Sequence, residues 1–201
     1  MKVPIFFATL LASVSSCPSG AQSPTVPPAS QQIAAAVLPL PLPLREQATV
    51  FGYGPDMTLI VLRAGTNGMV CTGLRPGDSQ FDVRCYQEKF IPLVRRIAQL
   101  RALPDAERRR IIDEEVKSGK LSLPDGPVAG YRMLGPASAY AAATHSVGPA
   151  IASWQSIHFP YRTAAEIGLP DEGTVTRNFP YVMASGTVWS HVMINDRDDY
   201  P

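Results

Sequence analysis

The 201-residue chain is poor in the side chains that carry most protein chemistry, with three histidines, three cysteines, two tryptophans and only 17% charged residues. That scarcity excludes several function classes. No serine sits in a GxSxG elbow, and the HExxH zinc motif, the phosphate-binding P-loop and the dinucleotide fingerprint are all missing. A formal net charge of +1 supplies no field that would draw in nucleic acid or an anionic membrane surface. There is no solenoid-type repeat. The longest apolar run, 3–14, falls short of the roughly 20 residues that span a bilayer.

That run is instead placed as in a secretory signal peptide. Lys2 precedes it and small residues follow, with Ser19 and Ala21 at the −3 and −1 positions of a cut before Gln22. A second cut is open, because VSSC at 14–17 has the form of a bacterial lipobox in which Cys17 becomes the lipidated first residue. Both readings place the mature chain outside the cytoplasm: periplasmic, anchored to the outer membrane as a lipoprotein, or secreted. The expected organisation is a signal peptide over 1–21, a tether over 22–44, one globular domain over 45–194 and a polar tail over 195–201. The tether reading rests on a segment rich in Pro, Ala, Ser and Gln with no charge before Arg45. Pro39, Pro41 and Pro43 alternate with Leu there, which forbids a helix at that point and favours polyproline II, while the preceding Ser30 to Leu38 can form a short helix with Ser30 as its cap.

From residue 48 the pattern is β. Runs at 48–53, 57–63, 69–74 and 81–86 are rich in β-branched and aromatic residues and are separated by Gly, Pro, Asn and Asp. Short links between consecutive strands predict an antiparallel meander over 48–86. Cys71 and Cys85 fall opposite each other if the intervening loop is centred near Asp78, and in an oxidising compartment they are expected to form a disulfide. Two helices follow, at about 91–103 and 105–118, the second running from Pro104 and Asp105 to a stop at Gly119. Its Arg108–Arg110 run is matched one turn later by Asp113, Glu114 and Glu115, which reads as a solvated charged surface. Further strands are expected at 128–134, 152–160 and 187–194, completing an α+β fold in which the two helices pack on an antiparallel sheet. Thr163 and Glu166 have capping-box form.

Four stretches, GTNGMVC (65–71), CY (85–86), PYRTAAEIGLP (160–170) and HVMI (191–194), together resemble a group of uncharacterised exported bacterial proteins. The resemblance covers most of 48–194. It implies export and a single domain, and no activity.

Side chains alternate along a strand, so Trp154, Ser156 and His158 share one face, as do Trp189, His191 and Met193. If the two strands are neighbours, two Trp, two His and one Met line a common wall. Such a wall either stacks a planar ligand or holds a soft metal, since imidazole and thioether together suit copper, with His158, His191 and Met193 as ligands and Met133 or Met183 completing the set. The competing reading is plain core packing. Serine–histidine pairs such as Ser138 with His145 or Ser185 with His191 are weaker candidates for a hydrolase, because geometry and not spacing defines such a site. No catalytic residue is assigned. The expected role is a cell-envelope binding module for a small molecule or an envelope protein.

Overall fold

A computed structural model describes residues 25–100, 102–173 and 179–195. The segment expected to be a signal peptide (with Cys17), the first residues of the expected tether and nearly all of the polar tail lie outside the described residues. In chain order the elements are α1 (Ala29–Ala36), α2 (Leu42–Arg45), β1 (Thr49–Tyr53), β2 (Leu59–Arg63), β3 (Met69–Thr72), β4 (Gln80–Gln87), α3 (Ile91–Gln99) and α4 (Asp105–Lys117). They continue with β5 (Val128–Pro136), β6 (Tyr140–Ala141), β7 (Ser146–Val147), β8 (Ala152–His158), α5 (Ala164–Ile167), β9 (Tyr181–Met183) and β10 (His191–Asn195). Among the described residues no helix is long and apolar enough to cross a membrane.

Eight strands form one sheet in the order β2-β1-β3-β4-β5-β8-β10-β9, and β6 with β7 makes a separate two-residue ladder. The class is α+β with a mostly antiparallel sheet, as the strand and helix patterns predict. The meander over 48–86 departs from expectation at one pairing: β1 lies antiparallel to β2 but parallel to β3. The chain leaves β2 and crosses the start of β1 in a five-residue link. Gly65 makes this crossing possible, since a Cβ there would lie 2.2 Å from the Gln47 carbonyl oxygen and 2.3 Å from the Thr49 nitrogen. The link is held down by hydrogen bonds from the Thr66 and Asn67 amides to the Gln47 carbonyl and from the Gly65 amide to Thr49 Oγ1. Parallel pairing usually needs a long crossover because the chain must travel back along the strand. Here β2 itself makes the return journey.

The segment expected to be a tether is docked on the sheet from α1 onward. Ala36, Val37 and Leu40 are buried in one cluster with Val50, Met69, Cys71 and Cys85, and Ala35 packs beside it with Phe81, Val83 and Ile151. Small side chains let the α1 backbone approach the strands closely. Gln32 locks the helix to β1, accepting from the Tyr53 amide at 2.7 Å and donating to the Tyr53 carbonyl at 3.0 Å. Prolines do not forbid α2: Pro41 precedes it and Pro43 sits in its first turn, where the missing N–H has no intrahelical partner to lose.

Cys71 and Cys85 are directly opposite on β3 and β4 and form a disulfide with a Cα–Cα distance of 4.0 Å. It lies on the α1 side of the sheet. The opposite side carries α3 and α4, whose Leu93, Leu100 and Ile112 join Phe90, Val128 and Val188 in a second core cluster. The two helices are tied by Arg96, which donates through Nε and Nη2 to the buried Glu115 carboxylate at 2.7 and 2.6 Å. Arg110 and Glu114 form the expected surface pair within α4.

The last strand begins later than predicted. Residues 184–190 turn instead of extending, with Ala184 and Gly186 at positive φ and the Thr187 amide bonded to the Ala184 carbonyl. Ser190 is fully buried and its hydroxyl donates to the Arg162 carbonyl, an anchor that ends the turn and releases β10 at His191. Trp189 therefore reaches the sheet face from a turn, and Val188 packs with the α3–α4 cluster rather than opposite it.

Candidate functional site

The strand register assembles the site. β10 pairs antiparallel with β8, placing His191 directly opposite His158 and Met193 opposite Ser156. On the other side of β8, Gly130 faces Ser156 and Arg132 faces Trp154, while β4 in turn brings Tyr86 against Gly130 and Arg84 against Arg132. Directly opposed residues point to the same side of a sheet. One face of four adjacent strands thus presents Arg84, Tyr86, Arg132, Trp154, Ser156, His158 and His191. With Tyr131 and Trp189 they border a recess of about 120 Å³.

Gly130 is the floor of this arrangement. A Cβ on it would lie 2.7 Å from Ser156 Oγ, 2.9 Å from His158 Nε2 and 3.1 Å from a Tyr86 ring carbon. The missing side chain is the space in which the Ser156–His158 pair sits. Assigning the His158 ring proton to Nε2 lets it donate to Ser156 Oγ at 3.0 Å, and the hydroxyl then donates to the Gly130 carbonyl at 3.4 Å. His158 Nδ1 is left buried with no hydrogen-bond partner among the described residues. Gly130→Ala is expected to lower stability by about 1–3 kcal/mol, the usual penalty of overpacking, and to move the His158 ring. Denaturant melts and the His158 ring signals in an NMR spectrum read both effects. Unchanged His158 signals in a fully stable variant would show that the floor is not closed.

Around this pair the walls are aromatic. The His158 ring lies 4.4 Å from Phe90 and 5.5 Å from Trp189, centroid to centroid, and Tyr86 meets both Phe90 and Trp189. Burial pushes the His158 imidazole down to a pKa of about 3, and the neighbouring His191 adds to the shift. His191 is shifted down as well, by its own burial. His191 Nδ1 donates to the Trp189 carbonyl at 2.6 Å, which ties the turn to the strand and leaves the lone pair on Nε2. Both rings are neutral at pH 7.

The structure brings together Trp154, His158, Trp189 and His191, all four singled out by strand alternation. It does not assemble the copper-type set. His158 and His191 are stacked, with centroids 4.8 Å apart and an interplanar angle of 29°. A metal lies roughly 2 Å from a ligating nitrogen, in the plane of the imidazole that binds it. Rings stacked face to face share no such point. Met193 is buried on the same face but does not border the recess. Among the described residues no group of three His, Cys, Asp or Glu side chains is placed to hold a metal ion.

The serine–histidine pairs drawn from spacing go elsewhere. His145 Nδ1 is bonded to the Tyr140 hydroxyl at 3.0 Å, and Ser185 Oγ accepts from the Ala164 amide at the start of α5. The contact that does form, Ser156 with His158, is a poor nucleophile–base pair. An imidazole with a pKa near 3 has little affinity for the serine proton, and no carboxylate orients Nδ1.

Arg84, Tyr86 and Arg132 are the site residues that sequence reasoning missed. Their alternation in 81–86 and 128–134 marks them as one face of a strand, and nothing local distinguishes that face from an ordinary solvated one.

No family model, no curated protein and no solved structure matches this chain.

Proposed function

We propose that the chain is an exported cell-envelope binding module and that the recess on β4, β5, β8 and β10 seats a small ligand. The observation that carries this reading is convergence: residues from 84 to 191 meet at one opening, and both tryptophans of the chain border it. Ligand sites combine aromatic walls with a few placed polar groups, and this recess has that composition. Export is supported by the layout of residues 1–21 and by the Cys71–Cys85 disulfide, a bond that persists in oxidising compartments. Hydrolysis is disfavoured by the weak basicity of His158, and a metal role by the stacking of the imidazoles.

The test is a screen of small neutral and charged fragments followed through the two indole N–H signals of the folded protein. Some fragments are expected to shift both indoles in a saturable way. His191→Ala should weaken that binding while lowering stability by no more than about 1 kcal/mol, since the half-buried Trp189 carbonyl can take a water in place of the imidazole. A screen in which no fragment moves either indole, with a large loss of stability in His191→Ala, would leave these residues as core packing.

A further inference from the structure

The charge on the recess wall restricts what the site can take. Arg84 and Arg132 face each other across β4 and β5 and both clamp Asp82. Their Nε atoms donate to Asp82 Oδ1 at 2.9 and 2.8 Å, and their Nη2 atoms to Oδ2 at 2.6 and 2.9 Å. One carboxylate thus balances one of two guanidiniums, and the trio keeps a net charge of +1. Both arginines border the recess and Asp82 does not. With His158 and His191 neutral, every formal charge on the wall is positive.

The clamp also orients the donors. An arginine has five N–H donors in a rigid fork, and Asp82 takes two from each, so three per side chain remain outside the clamp, one of Arg84's being shared with the Tyr86 hydroxyl. The guanidiniums are held in place before any ligand arrives, which lowers the entropic cost of binding. Arg132 is further fixed over the Trp154 ring, 5.0 Å from its centroid. Trp189 and Tyr86 stack across the far side, with centroids 6.5 Å apart.

A fixed excess of one positive charge beside flat apolar walls, in a space of about 120 Å³, matches a small singly charged acid with a planar body. We infer that the recess binds a small aromatic monocarboxylic acid, its carboxylate on Arg84 and Arg132 and its ring against Trp154 and Trp189. The inference rests on the binding reading above and adds the ligand class.

Both tryptophans of the chain border the recess, so its indole fluorescence reports on this wall. Trp189 also borders a second recess beside Arg108 and Arg109, and the Trp154 indole N–H signal, which that recess does not touch, assigns any change to this wall. Four probes separate the contributions when titrated into the full chain: benzoate, benzyl alcohol (same ring, no charge), acetate (same charge, no ring) and inorganic phosphate. Benzoate is expected to change the emission saturably, and to bind roughly tenfold or more tighter than each of the others, the scale of a lost charge-assisted bond. Arg132→Gln should weaken benzoate by a similar factor and leave benzyl alcohol unchanged. Arg84→Gln serves as the second variant, since either arginine alone still pairs with Asp82 and a melting curve verifies the fold. Benzyl alcohol binding as well as benzoate would overturn the carboxylate assignment and keep the binding reading. Phosphate binding as well as benzoate would overturn the aromatic acid in favour of a bare anion seat. No saturable change with any of the four overturns the inference outright, and the fragment screen then decides the binding reading separately.

Discussion

Acidification from pH 7 to pH 4 is expected to remove about 3 kcal/mol of folding stability through His158 alone. Its folded-state pKa is pushed from 6.5 to about 3, chiefly by burial. A histidine depressed in this way is neutral in the fold while the unfolded chain takes up a proton below pH 6.5. Stability is therefore complete above that value and is lost as pH falls toward 3, at roughly 1.4 kcal/mol per pH unit. The groups on the same wall act in the same sense, while Glu172 partly offsets the shift of His191. His191 is also depressed, and the guanidiniums of Arg84 and Arg132 on the same wall oppose a further positive charge. Below about pH 4.5 the carboxylates join in. Asp82, bound by two arginines, and Glu115, bound by Arg96 and Lys120, are each held at a pKa of about 2, and protonating them breaks those pairs. The window between pH 6.5 and 4.5 thus belongs to the histidines. Urea midpoints measured at each pH unit should fall through that window in the wild type and much less in His158→Gln. A flat profile from pH 7 to pH 5 would mean that His158 protonates without cost and is not sealed by Phe90, Tyr86 and Trp189.

Replacing both bridged cysteines, in Cys71→Ala/Cys85→Ala, is expected to cost about 3 kcal/mol, the loop-closure value for a cross-link spanning some 15 residues. The separation of the pair is 14 positions. The bond ties β3 to β4 at the point where β3 also pairs with β1, so it fastens the first three strands to the rest of the sheet. Both cysteines are completely buried beneath α1. Reductant should therefore act slowly on the native protein and quickly once denaturant lifts that helix. Guanidinium melts of the double variant measure the loss, and intact mass under non-reducing conditions shows the bond through its two missing hydrogens. An unchanged midpoint would mean that the fold holds β3 in place without help. The recess lies on the opposite face of these strands, so a folded double variant should keep its tryptophan emission.

Much of the local structure was legible because it depends on near neighbours. Every predicted strand in the sheet exists, since runs of β-branched and aromatic residues bounded by Gly, Pro and Asn have few alternatives. α4 starts after Pro104 and ends before Gly119 for the reasons read from its caps. The disulfide followed from hairpin register, since a loop centred near Asp78 sets Cys71 directly opposite Cys85. Composition misled at α1, where Ala, Ser and Gln describe a linker and a tightly packed helix equally well. Only burial against Val50 and the disulfide separates the two.

The candidate site divides along the same line. Alternation within 154–158 determined that Trp154, Ser156 and His158 share a face, and a two-residue spacing did the same for His191 and Met193. Neither pattern says which strands are neighbours, and that choice made the site. Setting β10 beside β8 stacked the two imidazoles and removed them as joint metal ligands. Setting β4 and β5 on the other side brought in Arg84, Tyr86 and Arg132, and left Gly130 as the space they surround. A strand's faces are a local property, written in a period of two residues. Its neighbours are settled by the burial of whole faces and by links such as Gly65, through contacts between residues far apart in the chain. The residue types and their faces belong to the sequence; the charge, burial and shape of the recess belong to the sheet.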